Sequence, residues 1–239
     1  MNWSIVRELA TPHPVHAIEW APEGRSFAYA GGHLYGRGFL GLASAEGDEL
    51  APTWTNARRP SAVILSNLAF ARAGERELIV AAACSYKWHE RGPLVFERVS
   101  ARGSERLRLI DAPRLADDEH VRDQAIGVAV HGGRILVHHR SKRLSGALAI
   151  HACRAGAIEA DELALARHDA RLAGEHAGTI GWGRDGRWDA TLQLPRGLSP
   201  RSLALDPSGT RLAIGCKRGN GHDPGAVLLL ARSPAFAGA

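Results

Sequence analysis

Arginine, tyrosine and tryptophan gathered in polar segments are the side chains of this 239-residue chain best suited to chemistry. Four segments hold them: Gly32-His33-Leu34-Tyr35-Gly36-Arg37-Gly38, Ser85-Tyr86-Lys87-Trp88-His89-Glu90-Arg91-Gly92, Arg140-Ser141-Lys142-Arg143-Leu144-Ser145-Gly146 and Lys217-Arg218-Gly219-Asn220-Gly221-His222-Asp223-Pro224. With histidine neutral they carry +1, +1, +3 and +1, together +6, which exceeds the +5 of the whole chain. Two neighbouring segments, residues 55–60 and 195–201, add +2 each, whereas 111–123 sets five acids against Arg114 and Arg122. Arg, Tyr and Trp bring forked hydrogen bonding and large contact area, the chemistry of macromolecular recognition rather than of bond breaking. Tyr35, Arg37, Tyr86, Trp88, Arg91, Arg143 and Arg218 are therefore the expected contact residues, and an acidic protein surface the expected partner. The bland alternative is a solvated surface in a chain whose 27 arginines far outnumber its 3 lysines.

Catalytic devices are sparse. The chain has no G-x-x-x-x-G-K-[ST] loop, no G-x-G-x-x-G set between a strand and a helix, no G-x-S-x-G elbow and no H-E-x-x-H pair. Of its 12 histidines, His131, His138, His139 and His151 crowd together, but His138 and His139 are adjacent on an expected strand. Adjacent strand residues point to opposite faces, so a shared metal shell is not expected. A glycosidase would need paired carboxylates, for which Glu19, Asp206 and Asp117-Asp118-Glu119 are the candidates. Asp206 reads better as the cap of the turn Asp206-Pro207-Ser208-Gly209, and the acidic run as a solvated loop. The expectation is a non-enzyme with no metal and no cofactor. A pI near 9.5 keeps nucleic acid as the alternative partner, with Tyr86 or Trp88 stacking on bases. A lectin-like or glycan-active ring ranks below it, because the aromatics do not recur at matching positions.

Composition narrows the class further. A 45% hydrophobic chain of this length can bury a core without staples. Cys84, Cys153 and Cys216 are odd in number and lack C-x-x-C spacing, which excludes a disulfide framework or zinc knuckle. No apolar run reaches the roughly 18–20 residues of a membrane helix, and Met1 to Glu8 lacks the basic-then-apolar order of a secretory signal. A cytoplasmic protein with no membrane partner is expected.

The elements that must position these segments recur along the chain. Ile18-Glu19-Trp20-Ala21-Pro22-Glu23-Gly24-Arg25-Ser26-Phe27-Ala28-Tyr29-Ala30-Gly31 aligns with residues 203–215, and residues 68–80 and 126–137 repeat the pattern. Each alternates apolar residues at period two, turns at Pro, Asp or Gly, and returns as a second apolar strand, the signature of a hairpin. A third run follows each hairpin, at 39–42, 94–96, 147–150 and 226–230. A weaker fourth run follows three of them, at 49–54, 106–110 and 158–163. A degenerate unit occupies 175–194, its third strand absent or very short, and residues 3–9 form an extra leading strand. Ala155 to Leu172 alone has helix-forming composition.

The stretch Leu203-Ala204-Leu205-Asp206-Pro207-Ser208-Gly209-Thr210-Arg211-Leu212-Ala213-Ile214-Gly215 resembles the WD40-type β-propeller repeat. No Gly-His opens a unit, and Trp188-Asp189 falls away from the repeat's usual place, so the chain resembles a divergent member. That resemblance implies an all-β WD40-like propeller spanning 1–239, with units near 10–54, 55–110, 111–165, 166–194 and 195–233. Four strands per unit at roughly 45–55 residues favour five blades, and strand 3–9 would complete the last one and close the ring. The tight first connection of each unit would then face one rim, and the long, basic second connection the other. The expected role is a non-catalytic scaffold subunit within a larger assembly.

Overall fold

The computed structural model describes residues 3–32, 37–47, 52–55, 63–85, 92–101, 104–111, 124–131, 134–140, 148–153, 163–165, 174–176, 179–182, 190–208, 210–218 and 224–232. Every regular element among them is a strand, and the twelve pairings whose register is defined are all antiparallel. No helix among the described residues is long and apolar enough to cross a membrane. The strands are β1 (Trp3–Thr11), β2 (Val15–Trp20), β3 (Ser26–Gly31), β4 (Phe39–Ser44), β5 (Trp54–Thr55), β6 (Val63–Ala73), β7 (Arg76–Ser85), β8 (Gly92–Ala101) and β9 (Ser104–Asp111). There follow β10 (Gln124–His131), β11 (Arg134–Arg140), β12 (Leu148–Cys153), β13 (Leu163–Leu165), β14 (Gly174–His176), β15 (Thr179–Trp182), β16 (Ala190–Gln193), β17 (Leu198–Leu205), β18 (Arg211–Arg218) and β19 (Gly225–Arg232). They form five sheets in the orders β2-β3-β4-β5, β13-β6-β7-β8-β9, β10-β11-β12, β14-β15-β16 and β1-β19-β18-β17. Two compact units divide the chain, Met1–Tyr29 with Ala43–Ala51 and His168–Ala239, and Ala30–Leu42 with Pro52–Arg167.

In the first unit, β1 pairs along β19 from Trp3↔Arg232 to Thr11↔Gly225, so the leading strand is the outer fourth strand of the last sheet, as the sequence predicts. Side chains alternate across that sheet. Leu212, Ile214, Cys216, Ala226, Leu228 and Leu230 bury one face together with Leu194, Leu198 and Ile5. The other face meets β2 closely: a Cβ on Gly215 would lie 2.6 Å from Val15 Cγ1. Trp20, fully buried, donates from Nε1 to the Ala204 carbonyl at 2.9 Å, joining β2 to β17. Its ring meets Phe27 edge-on at 5.3 Å. The β2–β3 turn closes through Gly24 N to Ala21 O and Ala21 N to Ser26 O, each 2.9 Å. Gly24 sits at φ +70°, where a Cβ would be strained.

In the second unit, β6 to β9 also bury both faces. Ala71, Ala73, Leu78, Val80, Ala82 and Val95 pack with Ile135 of β11 and Val128 of β10. On the opposite face, Phe96 meets Trp54 of β5 edge-on, with centroids 5.0 Å apart. Sheets covered on both sides explain the near-continuous burial of β3 and β7, which a one-sided sheet would not show.

Two features depart from the simple hairpins of the sequence. The first strands β6, β10 and β17 each carry an extra residue in their register, Ser66, Ile126 and Arg201. Such bulges bend and twist a strand without changing its apolar pattern, which hides them from a period-two reading. Secondly, the run 158–163 is expected to close the third unit; its residues 158–162 lie outside the described ones, and Leu163–Leu165 pairs with Ala71–Ala73 of β6. β6 is eleven residues long and its apolar end offers that short segment an edge. Leu163–Leu165, the described part of the stretch 155–172 whose composition favours helix, is extended. The degenerate unit has a third strand of four residues, β16, within the very short strand expected there.

Candidate interaction surface

Arg37 and Arg218 are the two expected contact residues that fall among the described ones; Tyr35, Tyr86, Trp88, Arg91 and Arg143 lie outside them. Arg37 stands in the second connection of its sheet, and Arg218 on the strand where the second connection of the last sheet begins. Arg37 is exposed two residues before β4, and Arg218 is exposed at the last position of β18.

The surroundings of Arg218 follow from strand alternation. Leu212, Ile214 and Cys216 point into the core, and Arg218 continues that row past its apolar end. Register places Leu198 opposite Arg218 and Ser199 opposite Lys217. Arg196, exposed in the turn that Leu198 N closes onto Pro195 O at 3.1 Å, precedes that rung. Arg201, exposed, is the bulge residue of the same strand. Arg196, Lys217 and Arg218 therefore stand at one end of β17 and β18, Lys217 on the face opposite Arg218, with Arg201 at the bulge inside β17. Arg218 reaches across β19 and donates from Nη2 to Glu8 Oε1 of β1 at 2.7 Å.

At the opposite end of the same hairpin the chemistry is structural. Asp206 is buried; its Oδ1 accepts from Thr210 N at 2.8 Å and Arg211 N at 2.9 Å, and its Oδ2 from Ser208 Oγ at 2.6 Å. Both oxygens are engaged with the turn, the capping role expected of this residue. His138 and His139 take consecutive positions on β11, opposite Gly127 and Ala125 of β10. Among the described residues no three His, Cys, Asp or Glu side chains gather as a metal-holding group.

The sequence reading misses a charged ladder on β7, β8 and β9. Glu97 accepts from Arg76 Nε at 2.8 Å and from Arg108 Nε at 3.1 Å, while Arg98 donates to Glu77 at 3.3 Å and from Nε to Glu105 at 3.1 Å. Glu97 and Arg98 are neighbours on β8, so a triad with a central anion and one with a central cation lie on opposite faces of the sheet. The Arg108 guanidinium, and after it that of Arg76, holds the Glu97 carboxyl below the usual carboxylate range against a weaker upward pull from burial. Only the opposed charges of Glu77, Glu97-Arg98, Glu105 and Arg108 hint at the pairing in sequence; the register supplies it. In the first unit, burial alone pushes the Tyr29 phenol far above its ordinary range.

No protein-family model and no curated protein matches the chain. Among solved structures it is similar to Raptor of Chaetomium thermophilum, with a TM-score of 0.46 and 12% identity over 97% of this chain. The match spans 29% of the length of that chain.

Proposed function

We propose that the protein is a non-catalytic scaffold: a divergent, WD40-like five-bladed propeller of the cytoplasm that holds an acidic protein surface on its basic second connections. The excess of positive charge in those connections, +6 against +5 for the whole chain, carries this reading. Two geometric observations support it. Arg37 and Arg218 are exposed at the edges of second connections, and Arg196 and Lys217 stand at the same end of β17 and β18 as Arg218. The pairing of β1 with β19 agrees with a ring whose ends overlap, an arrangement that leaves no long sheet edge open.

Affinity capture from native extract, followed by mass spectrometry, tests the role. The wild-type chain should recover a reproducible protein partner. Trp88→Ala with Arg91→Ala, or Arg37→Gln with Arg218→Gln, should lose it. Full recovery with both double variants would refute the site. RNA recovered in place of protein, with steep salt dependence, would favour a nucleic-acid-binding propeller.

A further inference from the structure

Arg218 is both an expected contact residue and one half of an ion pair within the chain. We propose that Glu8 is an internal stand-in for the partner: its carboxylate holds Arg218 until a carboxylate from an acidic protein segment replaces it, so partner binding competes with the seating of β1. The inference rests on the protein-binding reading above.

The pair is built to be exchanged. Nη2 and Oε1 are 2.7 Å apart, yet the two side chains are 47% and 38% exposed, so water screens the pair and a competing carboxylate can reach it. Among the described residues, Arg196 and Lys217 stand at the same end of the sheet, Arg201 lies at the bulge of β17, and Glu8 bonds Arg218. The remaining positive field attracts a second anion. A carboxylate is what Arg218 holds in the free chain, which favours an acidic protein over nucleic acid as the incoming ligand. Glu8 belongs to the strand that completes the last sheet. Displacing it removes one side-chain tie from β1 and leaves its pairing with β19, the bond from Arg7 Nη1 to Gly47 O at 2.6 Å and the buried side chain of Leu9. The strand should loosen without leaving.

A labelled oligoglutamate peptide, titrated by anisotropy at low salt against the full chain, tests the competition. Glu8→Gln should bind roughly two- to five-fold more tightly than wild type, the span of an exposed ion pair. Arg218→Gln should bind more weakly, and adding Glu8→Gln to it should restore nothing. Arg211→Gln, at the other end of β18, should match wild type. In unaltered protein, saturating peptide should speed hydrogen exchange across Trp3–Thr11, a readout independent of any variant. If Arg218→Gln weakens binding while Glu8→Gln does not tighten it and β1 exchange stays constant, the competition is overturned and the binding reading stands. If the peptide fails to bind, or an oligouridylate binds through Arg218 in its place, both fall.

Discussion

Replacing Gly215 by alanine separates this packing from a generic sheet. Glycine inside a strand is worse than alanine by about 0.5–1 kcal/mol, so at an open site the substitution should stabilise. Here the added Cβ would lie 2.4 Å from Ser202 Oγ, 2.6 Å from Val15 Cγ1 and 3.2 Å from Val15 Cβ. The first contact is with the neighbouring strand β17 and the others with β2 of the adjoining sheet, so relief on one side worsens the other. Overpacking of this kind costs about 1–3 kcal/mol and outweighs the propensity gain. Thermal melting should record a loss of about 2–4 °C per kcal/mol for a chain of this size. Ser202→Ala, which removes the nearest atom, should recover part of the loss in the double variant. Alone it should be neutral or mildly stabilising, because the buried Ser202 hydroxyl has no hydrogen-bond partner among the described residues. A Gly215→Ala protein at least as stable as wild type would refute the close approach of β2 to β18.

Further expectations rest on single contacts. Gly225→Ala should destabilise more than Gly215→Ala, since its Cβ would lie 2.6 Å and 2.7 Å from the His13 and Cys216 carbonyls, which are backbone and cannot swing aside. Trp20→Phe leaves the Ala204 carbonyl without its donor and should cost about 1–3 kcal/mol by denaturant unfolding. The lowered folded-state value of Glu97 means that its stabilising contribution is complete at neutral pH and disappears as acid protonates the carboxylate, from about pH 5 downward. Acid unfolding of Glu97→Gln should accordingly be shallower than wild type over that window, and identical slopes would contradict the triad. Tyr29 shifts the opposite way: its folded value is raised, so stability should decline as pH climbs above about 10, where the unfolded phenol ionises. Tyr29→Phe should remove that alkaline decline.

The fold was legible where apolar alternation and turn chemistry agree. Trp20 to Phe27 and Leu205 to Leu212 read as hairpins because Pro, Asp and Gly interrupt period-two runs, and both hairpins form. The leading strand was legible because the last unit lacked a fourth run, a matter of counting rather than of local signal. What stayed hidden is set by register and tertiary partners. Nothing in Leu163-Ala164-Leu165 says that it joins β6, since three apolar residues suit any free edge. The extra residues Ser66, Ile126 and Arg201 hid because a bulge shifts the pairing and leaves composition unchanged. At the site, Arg218 was visible as a loop cation. Glu8, some 210 positions away in sequence, became its neighbour only when β1 closed the sheet.

Hydrogen exchange on the captured complex tests the proposed binding role of the second connections most directly. Protection should concentrate on the second connections, around Arg37 and around Lys217-Arg218, while the tight turns at residues 22–25 and 206–210 exchange as in the free chain. Protection confined to those turns, with the arginine-bearing connections unaltered, would contradict the account.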